Sequence, residues 1–348
     1  MVRVGLLGTG FVATFYMKGL QHTPGAQVTA VGGHSLKSAQ EFAQVWNIPS
    51  ATDDIWSVAY RDDVDLVVIA LPNFLHLEAA KRTAPAHKPL VSSKPMGRSE
   101  HEARQMLEIA ETAGVTHGYA ETEVFCPAVV HTESLIRGGT LGGVHTVRVR
   151  ESHQGPHSRW FYDPARSGGG ALRDMGCHCV EVGRYFIGKS IRPVEVFAWG
   201  AAYEHPGEVE DTAVALMRFE NDAMVETEVG WATHGGLDLR NEVHTSKGAA
   251  FTDVTRSTPL RAFVMGQAGY VVEKAESESG WIYPVVDEAE AYGYAGEMRH
   301  FVECAEKGIM PRETWRDGVI VSAILDRMYL SMKERQWVSL TDIPELEG

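Results

Sequence analysis

The sequence predicts two domains: an N-terminal α/β domain with a doubly wound parallel sheet, and an α+β domain with a large, mostly antiparallel sheet. Between residues 2 and 119, short apolar runs alternate with helical patterns, as in a parallel sheet covered on both faces. After about residue 121, alternating strands succeed one another through short turns, which indicates antiparallel pairing. The 348 residues exceed one ordinary core. We therefore expect domains at 1–121 and 122–348.

The first domain is expected to contain five strands and four helices. The strands are predicted at 2–8, 27–33, 65–71, 88–93 and 114–120. The helices are predicted at 11–22, 35–45, 74–84 and 99–113. Strand and helix alternating at this spacing are typical of the Rossmann type of doubly wound sheet.

The second domain is expected to combine five strands with four helices. The strands are predicted at 144–153, 193–200, 211–220, 223–232 and 237–245. The helices are predicted near 125–137, 171–186, 292–307 and 316–333. Helices beside a succession of hairpin-linked strands indicate the α+β class.

Composition excludes several classes of function. A hydrophobic fraction of 44% indicates a globular chain, and the net charge of −14 argues against nucleic-acid or anionic-membrane partners. No apolar run approaches the ~20 residues that span a bilayer. The N-terminus begins a strand without a signal-peptide pattern, and four cysteines are too few for a disulfide framework. We expect a cytoplasmic protein with reduced thiols.

A glycine-rich turn follows the first predicted strand. Residues 8–13 read Gly8-Thr9-Gly10-Phe11-Val12-Ala13, which fits the pattern G-x-G-x-x-G/A. In this pattern the first glycine permits a tight turn, the second admits a pyrophosphate, and the small third residue lets helix and strand pack closely. The helix start offers N–H groups to phosphates. The turn therefore predicts dinucleotide binding, and a plain glycine turn is the alternative.

The end of the second strand bears on the choice between NAD and NADP. An acidic residue there would bind the ribose 2′-hydroxyl, but the segment reads Val31-Gly32-Gly33-His34-Ser35-Leu36-Lys37. A 2′-phosphate could be contacted by His34, Ser35 and Lys37. NADP is slightly favoured, although no arginine is present, and acceptance of NAD is the alternative.

The stretch SGGGALRDMGCHCVE, residues 167–181, suggests a zinc site, a redox pair or a helix with a catalytic histidine. As one helix over 171–186, it places Asp174, His178 and Glu181 on one face. An apolar stripe occupies another face and makes Cys179 a core residue: Ala171, Met175, Cys179, Val182 and Phe186.

Metal binding and redox chemistry are both disfavoured by this spacing. Consecutive residues of one helix cannot converge on one ion, and Cys126 and Cys304 are isolated in sequence. We therefore predict no metal. A purely structural role is the alternative for His178.

Three further motifs carry a resemblance to a known family. They are Leu71-Pro72-Asn73-Phe74-Leu75-His76, Ser93-Lys94-Pro95-Met96-Gly97 and Asp174-Met175-Gly176-Cys177-His178. With the glycine turn, they make essentially the whole chain similar to the glucose–fructose oxidoreductase, inositol dehydrogenase and MocA (Gfo/Idh/MocA) family. That family usually has an acidic residue or threonine before the Lys-Pro pair, where this chain has Ser93.

The resemblance implies a nicotinamide-dependent oxidoreductase that acts on a sugar, glycoside, cyclitol or related polyol. The acid and base roles would fall on Lys94 and His178, with Asp174 as their neighbour. Glu121 would face both cofactor and substrate. Further cofactor contacts would come from Leu71, Pro72, Asn73, His76, Lys94 and Pro95. The family commonly forms dimers or tetramers through its open sheet face, so a homo-oligomer is expected.

The loop before the glycine-rich stretch offers groups for a sugar. His157 and Arg159 could bond hydroxyls, and Trp160 could pack on a sugar face. His153, which ends the preceding strand, could also contact the substrate. The alternative is that the loop aromatics pack on the core.

The expected reaction is hydride transfer between the cofactor and a carbinol or carbonyl carbon. Lys94 would hydrogen-bond the reacting oxygen, His178 would take or relay its proton, and Asp174 would orient the pair. A glycosidase or lyase that uses tightly bound NAD for transient oxidation would need the same residues. A non-catalytic nucleotide-binding regulator would be expected to lack Lys94 or His178.

Overall fold

The computed structural model describes residues 1–205, 207–255, 258 and 260–346, and the chain divides into two compact units. The first unit comprises Met1–Thr122 and Gly293–Ser322, and the second comprises Glu123–Tyr292 and Ala323–Gly348. Among the described residues, no helix has both the length and the apolar character needed to cross a membrane.

The first unit contains a six-stranded parallel sheet. Its strands are β1 (Val2–Leu7), β2 (Ala26–Gly32), β3 (Ser50–Thr52), β4 (Leu66–Ile69), β5 (Leu90–Ser93) and β6 (His117–Ala120). Its first helices are α1 (Phe11–Gln21), α2 (Leu36–Trp46), α3 (His76–Thr83) and α4 (Glu100–Ala113). The strand order β3-β2-β1-β4-β5-β6, parallel throughout, confirms the predicted Rossmann-type sheet.

The second unit is built on a seven-stranded mixed sheet. Its helices before the strand series are α5 (Pro127–Arg137), α6 (Pro164–Ser167), α7 (Ala171–Asp174) and α8 (Gly176–Ile187), and β7 (Val144–Ser152) lies between α5 and α6. The next strands are β8 (Pro193–Ala201), β9 (Thr212–Phe219), β10 (Met224–Gly230), β11 (Asp238–Thr245), β12 (Gly248–Asp253), β13 (Ala262–Val264) and β14 (Gly280–Ile282).

The chain ends with α9 (Glu288–Ala291), α10 (Tyr294–Lys307), α11 (Trp315–Glu334) and β15 (Val338–Ser339). The large sheet has the order β12-β11-β7-β10-β9-β8-β15, and β13 and β14 form a separate two-stranded sheet. Its pairings are antiparallel except between β7 and β10, within the part of the chain that the structure describes. The prediction of a mostly antiparallel sheet is thus confirmed.

The observed elements differ from the predicted ones in several places. Strands β3 and β12 to β15 were not predicted. β3, β13, β14 and β15 have at most three residues, and β12 (GAAFTD) shows no regular apolar alternation. The predicted helix over 171–186 is interrupted at Met175, which separates α7 from α8. The three residues of the expected face are therefore divided between two helices, with Asp174 on α7 and His178 and Glu181 on α8.

Helix α10 lies in the first unit, whereas the predicted boundary at residues 121 and 122 placed it in the second domain. It packs on α1, where the rings of Phe15 and Tyr294 are 4.8 Å apart. A Cβ on Gly19 would lie 2.6 Å from the Tyr294 carbonyl oxygen, so the glycine permits this close approach. Two segments distant in sequence thus share one core.

Candidate active site

The glycine-rich turn of the first unit is shaped by backbone constraints. Gly8 has φ +113°, and a Cβ there would lie 2.2 Å from the Ala70 carbonyl oxygen. Gly10 is the N-cap of α1 without a side-chain capping bond, and a Cβ there would have nothing within 4 Å. Space therefore remains open beside the first N–H groups of α1, which fits a dinucleotide pyrophosphate. Thr9 and Val12 are half-buried and Phe11 is exposed.

The segment after β2 forms a small polar cluster. Ser35 caps α2 by accepting a hydrogen bond from the Ser38 amide at 3.2 Å, and His34 Nδ1 lies 3.2 Å from the Ser38 hydroxyl. Lys37 is exposed and pairs with Glu41 at 3.9 Å. The segment offers cationic and hydroxyl groups and no carboxylate before Glu41.

His76 is buried beneath the ends of β4 and β5. Its Nε2 lies 2.7 Å from the Leu71 carbonyl oxygen, and its Nδ1 lies 3.0 Å from that of Pro95. Burial lowers the pKa of His76, against the opposing effect of these carbonyls. His76 therefore ties the segment after β4 to the one that carries Lys94. Of the other predicted contacts here, Leu71, Asn73 and Pro95 are buried and Pro72 is half-buried.

Lys94 and Glu121 follow the carboxyl ends of β5 and β6. Lys94 is half-buried and begins the cis Lys94–Pro95 peptide, and Glu121 is fully buried. Within the same unit, burial and then Glu121 raise the pKa of Glu297 well above its usual range. The glycine turn, the Leu71 segment, Lys94 and Glu121 all follow parallel strands, so they share the edge where such sheets bind ligands.

In the second unit, Asp174 is held by a buried tryptophan that sequence reasoning missed. The Trp231 indole N–H donates to Asp174 Oδ2 at 3.2 Å, and the Trp231 side chain is fully buried. The Trp231 amide donates to the Asp211 carbonyl oxygen at 2.6 Å. Because Trp231 follows β10 directly, the strand fixes the position of this carboxylate.

His178 lies near two carboxylates that come from other elements. Its Nε2 is 4.0 Å from Glu151 Oε2, and Glu151 is the penultimate residue of β7. Glu123, from the 3₁₀ turn Thr122–Phe125, also has a carboxylate oxygen within 4.8 Å of these ligand atoms. The structure thus places two carboxyl groups near the predicted base.

Cys179 is confirmed as a core residue, because its side chain has no exposed surface. Cys177 is also buried and donates its S–H to the Asp174 carbonyl oxygen at 3.1 Å. Glu181 is neutralised by Arg184 and by Lys189, whose Nζ lies 2.7 Å from Glu181 Oε1. Glu181 therefore has a structural role.

The two predicted substrate histidines lie together beyond β7. The rings of His153 and His157 are 5.3 Å apart, and His157 Nε2 is 3.0 Å from Glu273 Oε1. Burial lowers the pKa of His153 to about 4, so the ring is neutral at neutral pH. Lys274 donates to the Gly155 carbonyl oxygen at 2.7 Å and so secures the same loop.

The aromatic loop at 159–162 packs mainly on the core. Phe161 and Tyr162 meet the Trp231 ring edge-on, at 6.1 and 5.8 Å between ring centroids. Trp160 stacks on Phe161 at 3.8 Å and stays half-buried, and Arg159 is exposed. The alternative of aromatics packed on the core is thus the one observed for Phe161 and Tyr162.

Two family models match the chain. Residues 2–120 match the oxidoreductase family with an NAD-binding Rossmann fold, and residues 129–251 match the GFO/IDH/MocA C-terminal domain. The chain belongs to the GFO/IDH/MocA oxidoreductase family. The predicted resemblance is confirmed, and the chain is an oxidoreductase of the dehydrogenase type.

Several relatives align with nearly the whole chain. Inositol 2-dehydrogenase of Rhizobium meliloti (strain 1021) is 26% identical over 97% of this chain and 99% of its own. Trans-1,2-dihydrobenzene-1,2-diol dehydrogenase of Bos taurus is 29% identical over 88% of this chain and 89% of its own. The crystal structure of GenD2 from gentamicin A biosynthesis, in complex with NAD, is 29% identical with a TM-score of 0.89, covering 97% of this chain and 96% of its own.

Sequence reasoning missed Trp231, Glu123 and the proximity of Glu151 to His178. The sequence pattern did contain one indication that Glu151 has a specific partner. Strand alternation puts it on the same side of β7 as Val147 and Val149, which are both buried. A carboxylate in register with core valines indicates a specific partner.

Proposed function

We propose that this family member is an NAD(P)-dependent dehydrogenase or reductase of a ring-bound secondary alcohol in a sugar, glycoside, cyclitol or related polyol. The observation that carries the proposal is the cluster in the second unit, where Trp231 holds Asp174 and carboxylates flank His178. A histidine near carboxylates can accept a hydroxyl proton. Such a cluster is what alcohol oxidation requires besides a hydride acceptor.

Different residues of the chain have different roles in the proposed reaction. Gly8, Gly10 and the start of α1 bind the pyrophosphate, and the bound nicotinamide supplies hydride acceptance. Lys94 hydrogen-bonds the reacting oxygen and stabilises its developing negative charge. His178 takes the hydroxyl proton, and Asp174 orients the substrate through a neighbouring hydroxyl. In the reductive direction the proton returns from His178.

The substrate class is supported by the relatives' names and by the polar groups of the second unit. Inositol and trans-1,2-dihydrobenzene-1,2-diol both carry neighbouring hydroxyls on a six-membered ring. Asp174, His153 and His157 supply acceptors and donors for a second hydroxyl. Arg159 and half-buried Trp160 supply a possible outer contact with a larger sugar.

The test is a panel of inositols, pyranosides and open-chain polyols, followed at the absorbance band of the reduced cofactor with NAD and NADP in parallel. We expect stoichiometric cofactor reduction with ring polyols. Substrate conversion without net cofactor reduction would support the hydrolase or lyase alternative instead. Failure of every ring alcohol to react would contradict the proposal.

We further propose that NADP is accepted, with a slight preference over NAD. Support comes from His34, Ser35 and Lys37 after β2, where no carboxylate would repel a 2′-phosphate. Ser35→Asp is an informative variant, because aspartate also caps helices well. We expect it to lower kcat/KM for NADP by about tenfold and to spare NAD. An unchanged NADP to NAD ratio would contradict this assignment.

We also propose a homo-oligomer formed through the open face of the large sheet. On that face Trp199 and Val214 are cross-strand neighbours, and their side chains are 47% and 43% exposed. Light scattering after size exclusion should give a dimer or tetramer, and Val214→Arg should shift it toward monomer. A monomeric wild-type protein would contradict the proposal.

A further inference from the structure

Glu151 occupies an unusual position in β7. Val147 and Val149 point to the buried side of the strand, and Arg148 points to the exposed side. Two-residue alternation places Glu151 on the valine side, which is the side packed against α8. The strand therefore carries a carboxylate into the region where α8 presents His178.

Glu151 and His178 are both largely shielded from solvent at this point. The side chains of Glu151 and His178 are only 12% and 7% exposed, and Oε2 and Nε2 are 4.0 Å apart. That distance is too long for a hydrogen bond but suits an ion pair. Both side chains are largely shielded from water, so a positive charge that forms on the ring would be little screened from the carboxylate.

Asp174 is engaged differently from Glu151. Its Oδ2 accepts the Trp231 indole N–H, and this bond fixes its orientation. Glu151 instead lies beside Nε2 of His178, and the Glu123 carboxylate lies within 4.8 Å of the same ligand atoms. Asp174 is therefore anchored by a hydrogen bond to Trp231, whereas Glu151 lies beside the histidine ring.

We propose that Glu151 is a positioning residue that stabilises the imidazolium formed when His178 accepts the substrate hydroxyl proton. The inference rests on the proposed role of His178. The proton would move from the alcohol oxygen to a ring nitrogen as the carbinol carbon loses its hydride to the nicotinamide, and the carboxylate of Glu151 would stay ionised throughout. Its effect is therefore on the rate of the chemical step and not on binding.

A double-mutant cycle with Glu151→Gln and His178→Gln tests the inference on the full-length protein. Glutamine keeps the shape of glutamate and removes its charge. We expect E151Q to lower kcat about tenfold, with KM and the dinucleotide Kd within about twofold. In the H178Q background the same change should alter the residual rate by less than about twofold, because its effect acts through the histidine.

The outcomes separate this inference from the proposed function. Equal losses from E151Q in both backgrounds, or no loss in either, would overturn the role of Glu151 while H178Q still reports on the base. Full activity in H178Q would overturn the base itself. Glu151→Asp keeps the charge on a shorter side chain, so it should lose less than E151Q. If E151Q does not fold, E151D replaces it in the double-mutant cycle. A decrease in kcat from E151D that is equally large in the H178Q background would then overturn the inference.

Two controls complete the experiment. Glu226→Gln removes a carboxylate from the exposed side of neighbouring β10, where it pairs with Arg148, and should leave kcat unchanged. Metal analysis with and without a chelator examines whether Glu123, Glu151 and His178 hold a cation instead. A stoichiometric metal whose removal abolishes activity would overturn the charge role, and unchanged activity in a metal-free protein would support it.

Discussion

Two regions differ in the groups that form them. One is the edge of the parallel sheet in the first unit, at the carboxyl ends of its strands, and the other is the group of side chains around His178 in the second unit. The first depends on backbone: Gly8 fits against the Ala70 carbonyl, Gly10 leaves open space, and carbonyls hold His76. The second depends on side chains: Glu151 lies on β7, Trp231 directly follows β10, and Asp174 and His178 lie on helices. We infer that the first region governs cofactor affinity and the second governs the chemical step.

The largest effect is expected at Lys94. This residue lies in the first unit, but its proposed role is in the chemical step and not in cofactor binding. Lys94→Met should lower kcat about 100-fold or more, because the reacting oxygen loses its charged donor, while the dinucleotide Kd stays nearly unchanged. Steady-state kinetics and fluorescence titration measure the two quantities. Exposed Lys81→Met, on α3, is the matched control. A Lys94 variant that loses only affinity would place it with the backbone site.

The next largest effect is expected at Gly10. A methyl group there meets nothing within 4 Å in the protein, so Gly10→Ala should cause no steric clash, and the poorer N-cap should lower the melting temperature only slightly. The same methyl would occupy the approach of the pyrophosphate, and we expect the dinucleotide Kd to rise about tenfold. Calorimetric titration measures it, with Gly143→Ala, also in open space, as control. Unchanged affinity would remove the glycine turn from the cofactor site.

A smaller effect is expected at Trp231. Trp231→Phe keeps an aromatic ring but removes the indole donor to Asp174, so kcat should fall about threefold to tenfold. Trp315→Phe in the first unit is a matched control, because its indole donates to the Gly118 carbonyl at 2.9 Å. Both variants should lose stability, but only Trp231→Phe should lower kcat. Equal kcat in the two variants would show that Asp174 needs no such anchor.

The smallest effect concerns stability and pH at His153. Burial lowers its folded-state pKa to about 4, so the unfolded chain binds more protons between about pH 6.5 and 4. The neutral His153 therefore has no destabilising effect above about pH 6.5, and the free energy of unfolding decreases as the pH falls toward about 4. The free energy of unfolding of the wild type should fall between pH 7 and pH 5. In His153→Gln this fall should be smaller by about 1–2 kcal/mol. Denaturant unfolding measures it, with exposed His145→Gln as control. Parallel pH curves for the wild type and His153→Gln would contradict the assignment.

The backbone site could be predicted because its residues are consecutive. Gly8 to Ala13 lie in one turn after one strand, so a local pattern contains the geometry. The parallel sheet was predicted for the same reason, except β3, whose three residues are too few to show a period. Local patterns thus describe most of the first unit.

The side-chain cluster could be predicted only in part. His178 and Asp174 share one motif, but Glu151 lies on β7 and Trp231 directly follows β10, the strand paired in parallel with β7, so both reach the cluster through tertiary packing. The interruption at Met175 was missed because the apolar stripe runs through both helices. Strand pairing and helix interruption depend on the whole fold, which a single sequence segment does not contain.

The central claim is that His178 carries the proton in the chemical step and contributes little to cofactor binding. Single-turnover stopped-flow of His178→Gln, with saturating dinucleotide and a reactive ring polyol, tests this most directly. The account predicts a hydride-transfer rate lower by about 100-fold, with the dinucleotide Kd unchanged. A wild-type rate in that variant, or a loss confined to cofactor affinity, would contradict it.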